Sequence, residues 1–339
     1  MPLTDAPLDA PLGAPLDAPL DALVIGGGPA GLTAAIYLGR FRRRFALVDA
    51  GEPRAAWIPE SHNIAFFGEG IRGPDILARA RDAAIRYGAR PIVARVETLE
   101  REGDGFLAQL VNEAGERSEL RARRVLLATG AVDVEPDLPD LPDAVRRGLV
   151  RYCPICDGFE SRDQRIAVIG HGAAGLGEAS FIARTYSDDV SLLSLGQPLE
   201  LDDEQRATAA RQNIRLVETP IARLDVQGGR IAALHTEGGA LRFDLLYSAL
   251  GLRYRNGLAV ALGAERDESG ALQVDSHMRT TVPGLYAAGD IVRGLDQIVV
   301  GMGHAAIAAT HIHNHCELPT EDEPRERVVG AARAQALVG

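Results

Sequence analysis

The chain has 339 residues, of which 46% are hydrophobic and 24% charged, and its formal net charge is −11. This length predicts two domains that each bury a core, and the composition is that of an ordinary soluble globular protein. The negative charge argues against nucleic acids and anionic membranes as partners, because phosphate contacts need a surplus of Lys and Arg. The sequence has no run of about 18 apolar residues, so it predicts no transmembrane helix.

The amino terminus repeats Asp-Ala-Pro-Leu with small variations and contains no Lys or Arg. A signal peptide needs a basic start and an apolar middle, so this pattern does not indicate one. Proline at every fourth residue also prevents a helix. We expect residues 1–21 to be a disordered extension, 321–339 to be a carboxyl-terminal tail, and the protein to be cytoplasmic.

A glycine-rich turn lies between a strand and a helix at the start of the folded part. Apolar residues 22–25 lead into Gly26–Gly31, a helical pattern runs to Arg40, and a second strand, 45–48, ends on Asp49. Glycines let the backbone approach a pyrophosphate at the helix amino terminus. An acid about 20 residues further on is placed to accept hydrogen bonds from a ribose 2′-hydroxyl. Together these features predict a dinucleotide-binding βαβ unit.

A loop, a helix and a small antiparallel meander follow this unit. The loop over 51–75 is rich in Gly, Pro and aromatic residues, and Gly73-Pro74 opens an amphipathic helix that ends near Gly88. The predicted strands of the meander cover 93–96, 106–111 and 125–127. The small residues of Ala128-Thr129-Gly130, directly after the last strand, let the chain turn beneath a bound nucleotide.

Two of the three cysteines lie two residues apart, at Cys153 and Cys156, after a Pro- and Asp-rich linker at 134–142. This spacing allows a small disulfide ring that opens with little backbone motion. It also lowers the pKa of one thiol from about 8.5 towards neutrality. Asp157, directly after the second thiol, is the candidate proton donor. The stretch therefore predicts a redox-active pair.

A zinc half-site and an inert buried thiol pair are the other interpretations of these cysteines. Zinc needs four ligands, and no second Cys-x-x-Cys exists. The remaining donors are bunched near the far end of the chain, at His311, His313, His315 and Cys316. Without a secretory signal, a structural disulfide is not expected in a reducing compartment. We favour the redox interpretation and predict no metal site.

A second glycine turn, Gly170–Gly175, follows a new strand at 165–169 and opens a helix that runs through Arg184. The next strand, 190–193, ends on Ser194 where the first unit has Asp49. Further strands are predicted at 214–218, 231–235 and 245–251. A second βαβ unit therefore begins after the linker.

The last part of the fold is a strand over 280–288 that runs into Gly289-Asp290, followed by Gln297 and a small-residue helix from Gly303 to about His313. This segment would return to the first domain. We predict an α/β fold of two Rossmann-like three-layer ββα dinucleotide-binding domains, the second inserted in the first. The predicted first domain covers 22–137 and 263–320, and the inserted domain covers 138–262.

The motifs together resemble the low-molecular-weight thioredoxin reductase family, among the flavoprotein disulfide reductases with two dinucleotide domains. The resemblance covers roughly residues 22–316. It rests on Gly-Gly-Gly-Pro-Ala-Gly at 26–31, Ala-Thr-Gly at 128–130, Cys-x-x-Cys-Asp-Gly at 153–158, the glycine motif at 170–175 and Ala-Ala-Gly-Asp at 287–290. A Cys-x-x-Cys inside the second domain is specific to this branch, and Cys-Pro-Ile-Cys-Asp-Gly looks like a divergent subgroup.

The resemblance implies an FAD site, a dithiol site and a homodimer whose inserted domain rotates between two poses. Asp290 would contact the ribityl and pyrophosphate part of FAD, and Gln297 with the following helix start would face the isoalloxazine ring. Cys156 would contact the flavin, Cys153 would exchange with a partner disulfide, and Asp157 would be the acid. The implied FAD-binding residues are Gly26, Gly28, Pro29, Ala30, Gly31, Asp49, Ala128, Thr129, Gly130, Gly289, Asp290, Gln297 and Ile298.

One departure from the family concerns the electron donor. Members that use NADPH carry a His-Arg-Arg cluster after the second strand of the inserted domain, whereas residues 193–198 here contain no cation. A 2′-phosphate would instead meet the acids Glu200, Asp202, Asp203 and Glu204. NADH is not favoured either, because Ser194 stands where a 2′-hydroxyl site needs an acid. NADPH, NADH and another electron source or sink all stay open.

Four further residues lie in or near these motifs. Asp296 replaces the usual Arg before Gln297 and alters the charge near the flavin. His304 is a proton relay to the flavin or a residue that packs or caps the helix. His171 would block the space that a pyrophosphate needs. Tyr152 shields the dithiol from water, lines a substrate site or simply packs.

The predicted function is that of an FAD-dependent dithiol/disulfide oxidoreductase. Its partner would be a thioredoxin-like protein or a small disulfide or dithiol, with ferredoxin or a second flavin among the possible donors. One alternative is an oxygen-dependent dithiol oxidase. Another is a flavin-bound redox sensor without turnover, although a sensor has no need of Asp157.

Overall fold

A computed structural model describes residues 19–139, 141 and 143–316. In this part of the chain the strands are β1 (Leu20–Ile25), β2 (Phe45–Asp49), β3 (Pro91–Val93), β4 (Arg95–Glu102), β5 (Gly105–Val111), β6 (Arg117–Leu127), β7 (Ala131–Asp133), β8 (Ile166–Ile169), β9 (Val190–Leu193), β10 (Arg215–Val217), β11 (Arg223–Gln227), β12 (Arg230–Thr236), β13 (Gly239–Arg242), β14 (Leu245–Ser248), β15 (Leu252–Tyr254) and β16 (Leu285–Ala287). The helices are α1 (Pro29–Arg40), α2 (Gly73–Arg86), α3 (Pro154–Asp157), α4 (Gly172–Thr185), α5 (Asp203–Arg211), α6 (Gly257–Ala261) and α7 (Ile298–Asn314).

The first of two compact units comprises the described residues up to 53, residues 79–130 and those from 255 onward. Its sheet has the order β3-β2-β1-β6-β5-β4, and β16 also pairs with β6. Strands β1, β2, β6 and β16 run parallel, whereas β4 and β5 extend the sheet as an antiparallel meander. Leu23, Val125 and Leu285, on three of these strands, are fully buried in the core of the first unit. The carboxyl ends of the parallel strands share one edge, where open α/β sheets bind their ligands.

The second unit comprises residues 54–78 and 131–254. Its parallel sheet has the order β10-β9-β8-β14, a separate antiparallel sheet contains β11, β12 and β13, and β7 pairs with β15. Ile166, Leu192 and Tyr247 belong to the core and are completely buried. Both strands that flank the second glycine turn, β8 and β9, are buried along their whole length, as expected of a parallel sheet covered on both faces.

The predicted α/β class with Rossmann-type domains is confirmed, and most predicted elements are present. Several bounds differ from the prediction. Strand β1 begins at Leu20, inside the predicted extension; α1 begins at Pro29, because proline suits the first helical turn; and α7 begins at Ile298, five residues earlier than predicted. Of the predicted strand at 280–288, only β16 forms. The predicted domain boundaries stay predictions, and residues 1–18 and 317–339 lie outside the described residues.

Membrane insertion through a helix finds no support in residues 19–139, 141 and 143–316, because none of their helices combines the length and the hydrophobicity of a membrane span.

Candidate redox site and nucleotide-binding turns

The first glycine turn is packed so closely that two of its positions require glycine. Gly26 has φ of +112°, and a Cβ there would overlap the carbonyl group of Ala128. A Cβ on Gly31 would overlap the carbonyl oxygen of Gly26. Since backbone atoms are on the other side of both contacts, the turn would have to deform to accept any side chain.

The same turn is open at its third glycine. Gly28 is the N-cap of α1 in an extended conformation, and the atom nearest to a Cβ built there is the Cβ of Pro53 at 4.0 Å. Among the described residues the Gly28 amide has no hydrogen-bond partner. No side chain caps α1, and no acid stands in its first turn, which contains Pro29 and Ala30. The positive end of the helix is therefore accessible to an anion, and these residues fit a pyrophosphate.

Asp49 holds this turn from the end of β2. Its Oδ1 accepts hydrogen bonds from the amides of Gly27 at 3.1 Å and Gly51 at 3.2 Å, and its Oδ2 forms an ion pair with Arg81 at 3.3 Å. Its predicted contact with a ribose stays a prediction. The contribution of Arg81 was not predicted, because a single Arg on an amphipathic helix gives no signal in the sequence.

The Ala-Thr-Gly segment lies beside the turn. The Ala128 amide donates to the Ile25 carbonyl at 2.8 Å, and the Thr129 hydroxyl donates to the carbonyl of Arg255 at 2.7 Å. Gly130 has φ of +65°, which suits glycine. Strand β6 thus ends directly before this segment, and the turn beneath a nucleotide stays a prediction.

The Gly-Asp turn after β16 lies against the start of α1. A Cβ on Gly289 would come within 3.1 Å of the Ala30 Cβ, and one on Gly301 of α7 within 3.1 Å of the Gly289 Cα. Asp290 follows, half-buried. The first unit therefore collects the glycine turn, Asp49, Ala128–Gly130 and Gly289-Asp290 at one edge of its sheet.

Helix α7 begins at the predicted flavin-facing residues. Gln297 is its N-cap, buried and extended, and Ile298 is its first residue. One turn after Gly301, the Nδ1 atom of His304 is buried without a hydrogen-bond partner among the described residues. Burial lowers the pKa of His304, and the Asp290 carboxylate opposes that change. Both interpretations of His304 stay open.

In the second unit, the cysteines form a disulfide across a very short helix. Cys153 is the N-cap of α3, Pro154 is its first residue, and the two Cα atoms are 5.3 Å apart. The Cys156 amide donates to the Cys153 carbonyl at 2.9 Å, which closes the ring on the backbone side as well. No group of three or more His, Cys, Asp or Glu side chains in the described part of the chain is arranged to hold a metal ion.

Asp157 is the last residue of α3 and is buried. Its Oδ2 forms an ion pair with Arg151 at 2.7 Å, and its Oδ1 accepts a hydrogen bond from the Tyr247 hydroxyl at 2.8 Å. Burial raises the pKa of the Asp157 carboxyl, whereas Arg151 and Tyr247 act to lower it. The roles of Arg151 and Tyr247 were not predicted from the sequence.

Tyr152 packs beneath a guanidinium group in the same unit. The Arg54 Cζ lies 4.5 Å from the centre of its ring, and Arg54 binds both carboxylate oxygens of Asp133, at 2.8 and 2.6 Å. This arrangement supports the packing interpretation of Tyr152.

The second glycine turn differs from the first at its third position, where Gly172 corresponds to Gly28. The Gly172 amide donates to the Leu199 carbonyl at 2.7 Å, whereas the Gly28 amide of the first turn has no hydrogen-bond partner among the described residues. Ser194 is buried, and its hydroxyl donates to the Gln197 carbonyl. His171 is exposed and does not cap α4 through its side chain. These residues fit a pyridine nucleotide poorly.

Glu178 is the one acidic residue of α4, the helix that follows the second glycine turn. Its Oε1 is buried without a hydrogen-bond partner among the described residues, and burial raises its pKa to about 8. Above the ordinary pKa of a glutamic acid, the unfolded chain has lost this proton but the folded chain still holds it. The contribution of Glu178 to the free energy of unfolding is therefore fully present below that ordinary pKa and is lost as the pH rises towards about 8.

Replacing Glu178 by Gln is expected to remove this decrease. At pH about 9 the variant should be more stable than the native chain by about 2–4 kcal/mol, and near pH 5 the two should be similar. Urea midpoints at both pH values measure the effect, with Glu204→Gln on an exposed position as the matched control. Equal midpoints for native and Glu178→Gln at the higher pH would show that Glu178 is solvated.

Comparison with known proteins gives a family match that covers all of these motifs. The profile of the family described as pyridine nucleotide-disulphide oxidoreductase matches residues 20–309. The chain belongs to this family. It is a flavoprotein oxidoreductase of the thioredoxin reductase-like type with Rossmann-type domains. Membership implies binding of FAD and of a pyridine nucleotide, without specifying which.

Individual relatives and solved structures match most of the chain. The thioredoxin reductase of Peptoclostridium acidaminophilum is 27% identical over 324 residues, covering 88% of this chain and 98% of the relative. The crystal structure of HlmI has a TM-score of 0.79 and 32% identity, covering 96% of this chain and 99% of HlmI. That of thioredoxin reductase from Streptococcus pyogenes MGAS5005 has a TM-score of 0.78 and 25% identity, covering 88% and 98%.

Proposed function

We propose that this protein is an FAD-dependent dithiol/disulfide oxidoreductase that works through Cys153 and Cys156. The observation that carries the proposal is the bonded cysteine pair with a buried carboxyl directly after it. Its partner is a thioredoxin-like protein or a small disulfide, in keeping with the thioredoxin reductases among its relatives. When bound, FAD supplies a two-electron couple.

The chemistry of the dithiol follows from the positions of its residues. The Cys153 thiolate attacks the partner disulfide. The partner S–S bond breaks, a mixed disulfide forms, and the released partner thiolate takes up the proton that Cys153 had lost to solvent. Asp157 accepts the proton of Cys156, and the new thiolate attacks the Cys153 sulfur. The bond to the partner breaks, the Cys153–Cys156 disulfide forms, and the second partner thiolate takes the proton from Asp157. The dithiol has then lost two electrons and two protons to the partner.

A second candidate function is the reverse reaction, oxidation of a dithiol with oxygen as the final acceptor. The second glycine turn favours this function, because the Gly172 amide already donates to the Leu199 carbonyl and residues 193–198 contain no cation. This candidate needs no pyridine nucleotide.

A panel of electron donors under anaerobic conditions distinguishes the two functions. A reductase fed by a pyridine nucleotide should lose its flavin colour with NADPH or NADH at micromolar concentration. A dithiol oxidase should lose colour with dithiothreitol alone and recover it in air. A flavin that dithiothreitol reduces without any oxygen uptake or disulfide reduction would favour a sensor and overturn both enzyme functions.

A further inference from the structure

Strand pairing places two side chains on the same face beside the dithiol. The Arg151 amide donates to the Leu246 carbonyl at 2.8 Å, and the Ser248 amide donates to the Arg151 carbonyl at 2.7 Å. These bonds make a parallel bridge in which Arg151 lies opposite Tyr247 of β14. Residues paired in this way project to the same side of a sheet, so the guanidinium and the phenol converge.

They converge on the carboxyl group of Asp157 and occupy both of its oxygens. Arg151 takes Oδ2 at 2.7 Å and Tyr247 takes Oδ1 at 2.8 Å. Ser161 supports the arrangement, since its hydroxyl donates to the Asp157 carbonyl at 3.1 Å and lies 3.4 Å from the Tyr247 hydroxyl. The carboxyl group is therefore fixed in both position and orientation.

Opposing influences act on the proton affinity of this carboxyl. Burial raises its pKa, and the nearby Glu160 adds to that rise; Arg151 and Tyr247 lower it. Tyr247 is completely buried, and burial together with the charge of Asp157 raises the pKa of its hydroxyl, so it stays a donor. The titratable and charged groups that face Asp157 are Arg151, Tyr247, Glu160 and Tyr186.

We propose that Arg151 and Tyr247 are positioning residues that keep Asp157 ionised, so that it accepts the Cys156 proton, and that they set the pH range of thiol exchange. The proposal rests on the proposed function, because it concerns the carboxyl of that site. Asp157 alone, buried beside the disulfide, would bind its proton too tightly to act as the acceptor near neutral pH. Hydrogen bonds from Arg151 and Tyr247 to its two oxygens favour the ionised carboxylate.

The test is a single-turnover reaction over a range of pH. Holoprotein reduced with dithionite is mixed anaerobically with 5,5′-dithiobis(2-nitrobenzoate), and thiol release is followed. Removing either donor should raise the pKa of Asp157, so the limb of the rate profile that rises with pH should move to higher pH. The expected shift is about one to two pH units for Arg151→Met and about one unit for Tyr247→Phe.

Conservative and matched variants separate positioning from simple packing. Arg151→Lys keeps the charge and should restore the native limb to within about half a unit. Arg165→Met breaks another Arg–Asp pair of the same unit, with Asp244 at 2.7 Å, and should leave the limb unchanged. In an Asp157→Asn background, Tyr247→Phe should change the rate by less than about two-fold, because its target is gone.

The outcomes distinguish this proposal from the function on which it rests. If the native protein releases thiol but the rising limb of the rate–pH profile does not move in either Arg151→Met or Tyr247→Phe, the positioning roles alone are overturned. Release of both thiol equivalents at the native rate in the variant with serine at positions 153 and 156 overturns the proposed function, and the positioning roles with it, because the Cys153 thiolate alone releases only the first equivalent. Because Tyr247→Phe removes one hydroxyl from a buried ring, it tests the proposal even if Arg151→Met does not fold.

Discussion

Cys156→Ser should stop electron transfer between the flavin and any disulfide partner. Cys156 lies in α3 directly before Asp157, and its sulfur is bonded to that of Cys153. In the proposed reaction this disulfide closes in each turnover. A serine hydroxyl cannot form that bond, so disulfide reduction in a coupled assay should decrease on the order of 10³-fold or more.

Cys153→Ser provides the contrasting variant. It should also lose exchange with the partner, but it leaves in place the inner thiol, which is proposed to contact the flavin. Such a thiolate is expected to give a long-wavelength charge-transfer absorbance, which Cys156→Ser cannot show. Cys316→Ser removes the one free cysteine in the described part of the chain and is the matched control that should retain activity. Full activity in both active-site variants would mean that the site is assigned wrongly.

Substitutions in the first glycine turn should remove the flavin by two different routes. Gly28→Ala adds a methyl group where only Pro53 is near, at 4.0 Å, in a conformation that alanine adopts freely. The apoprotein should fold normally, yet FAD should bind about 10- to 100-fold more weakly, because the methyl occupies the space of the pyrophosphate. Isothermal titration of apoprotein with FAD measures this change.

Gly31→Ala should instead damage the unit itself. Its methyl group would overlap the Gly26 carbonyl oxygen, so the turn must deform, at a cost of about 1–3 kcal/mol or more in the free energy of unfolding. The thermal midpoint of the apoprotein separates the two variants. Gly177→Ala, in open space on α4, is the control: it should leave the FAD affinity unchanged and should not lower the thermal midpoint. Normal FAD affinity in Gly28→Ala would place the pyrophosphate elsewhere.

The features that the structure shares with the prediction are encoded in short stretches of sequence. A buried strand, close-packed glycines and a helix start are adjacent at Gly26–Gly31, and the cysteines are adjacent across α3. Local chemistry decides their structure, so the residues alone are sufficient. Helix α5 was missed although it has a local signal, a capping box between Asp202 and Gln205, because its residues are almost entirely polar and show no apolar period.

The parts that were missed depend on contacts between distant residues. Arg151 meets Asp157 and Tyr247 only through the register of one parallel bridge, and Tyr247 is 90 residues from Asp157. Likewise, the Leu199 carbonyl reaches the Gly172 amide because the loop after β9 folds back over the turn. Composition and spacing do not specify such a register. The sequence therefore indicated the paired cysteines but not the residues that contact Asp157.

Reductive titration with dithionite under anaerobic conditions tests the central claim most directly. If the flavin and the Cys153–Cys156 disulfide exchange electrons, the native holoprotein should take up about two electron pairs per flavin before bleaching is complete. The variant with serine at both positions should take up about one, with its flavin still bound. Equal uptake by the two proteins, or a purified native protein that is colourless and binds no FAD, would contradict the account.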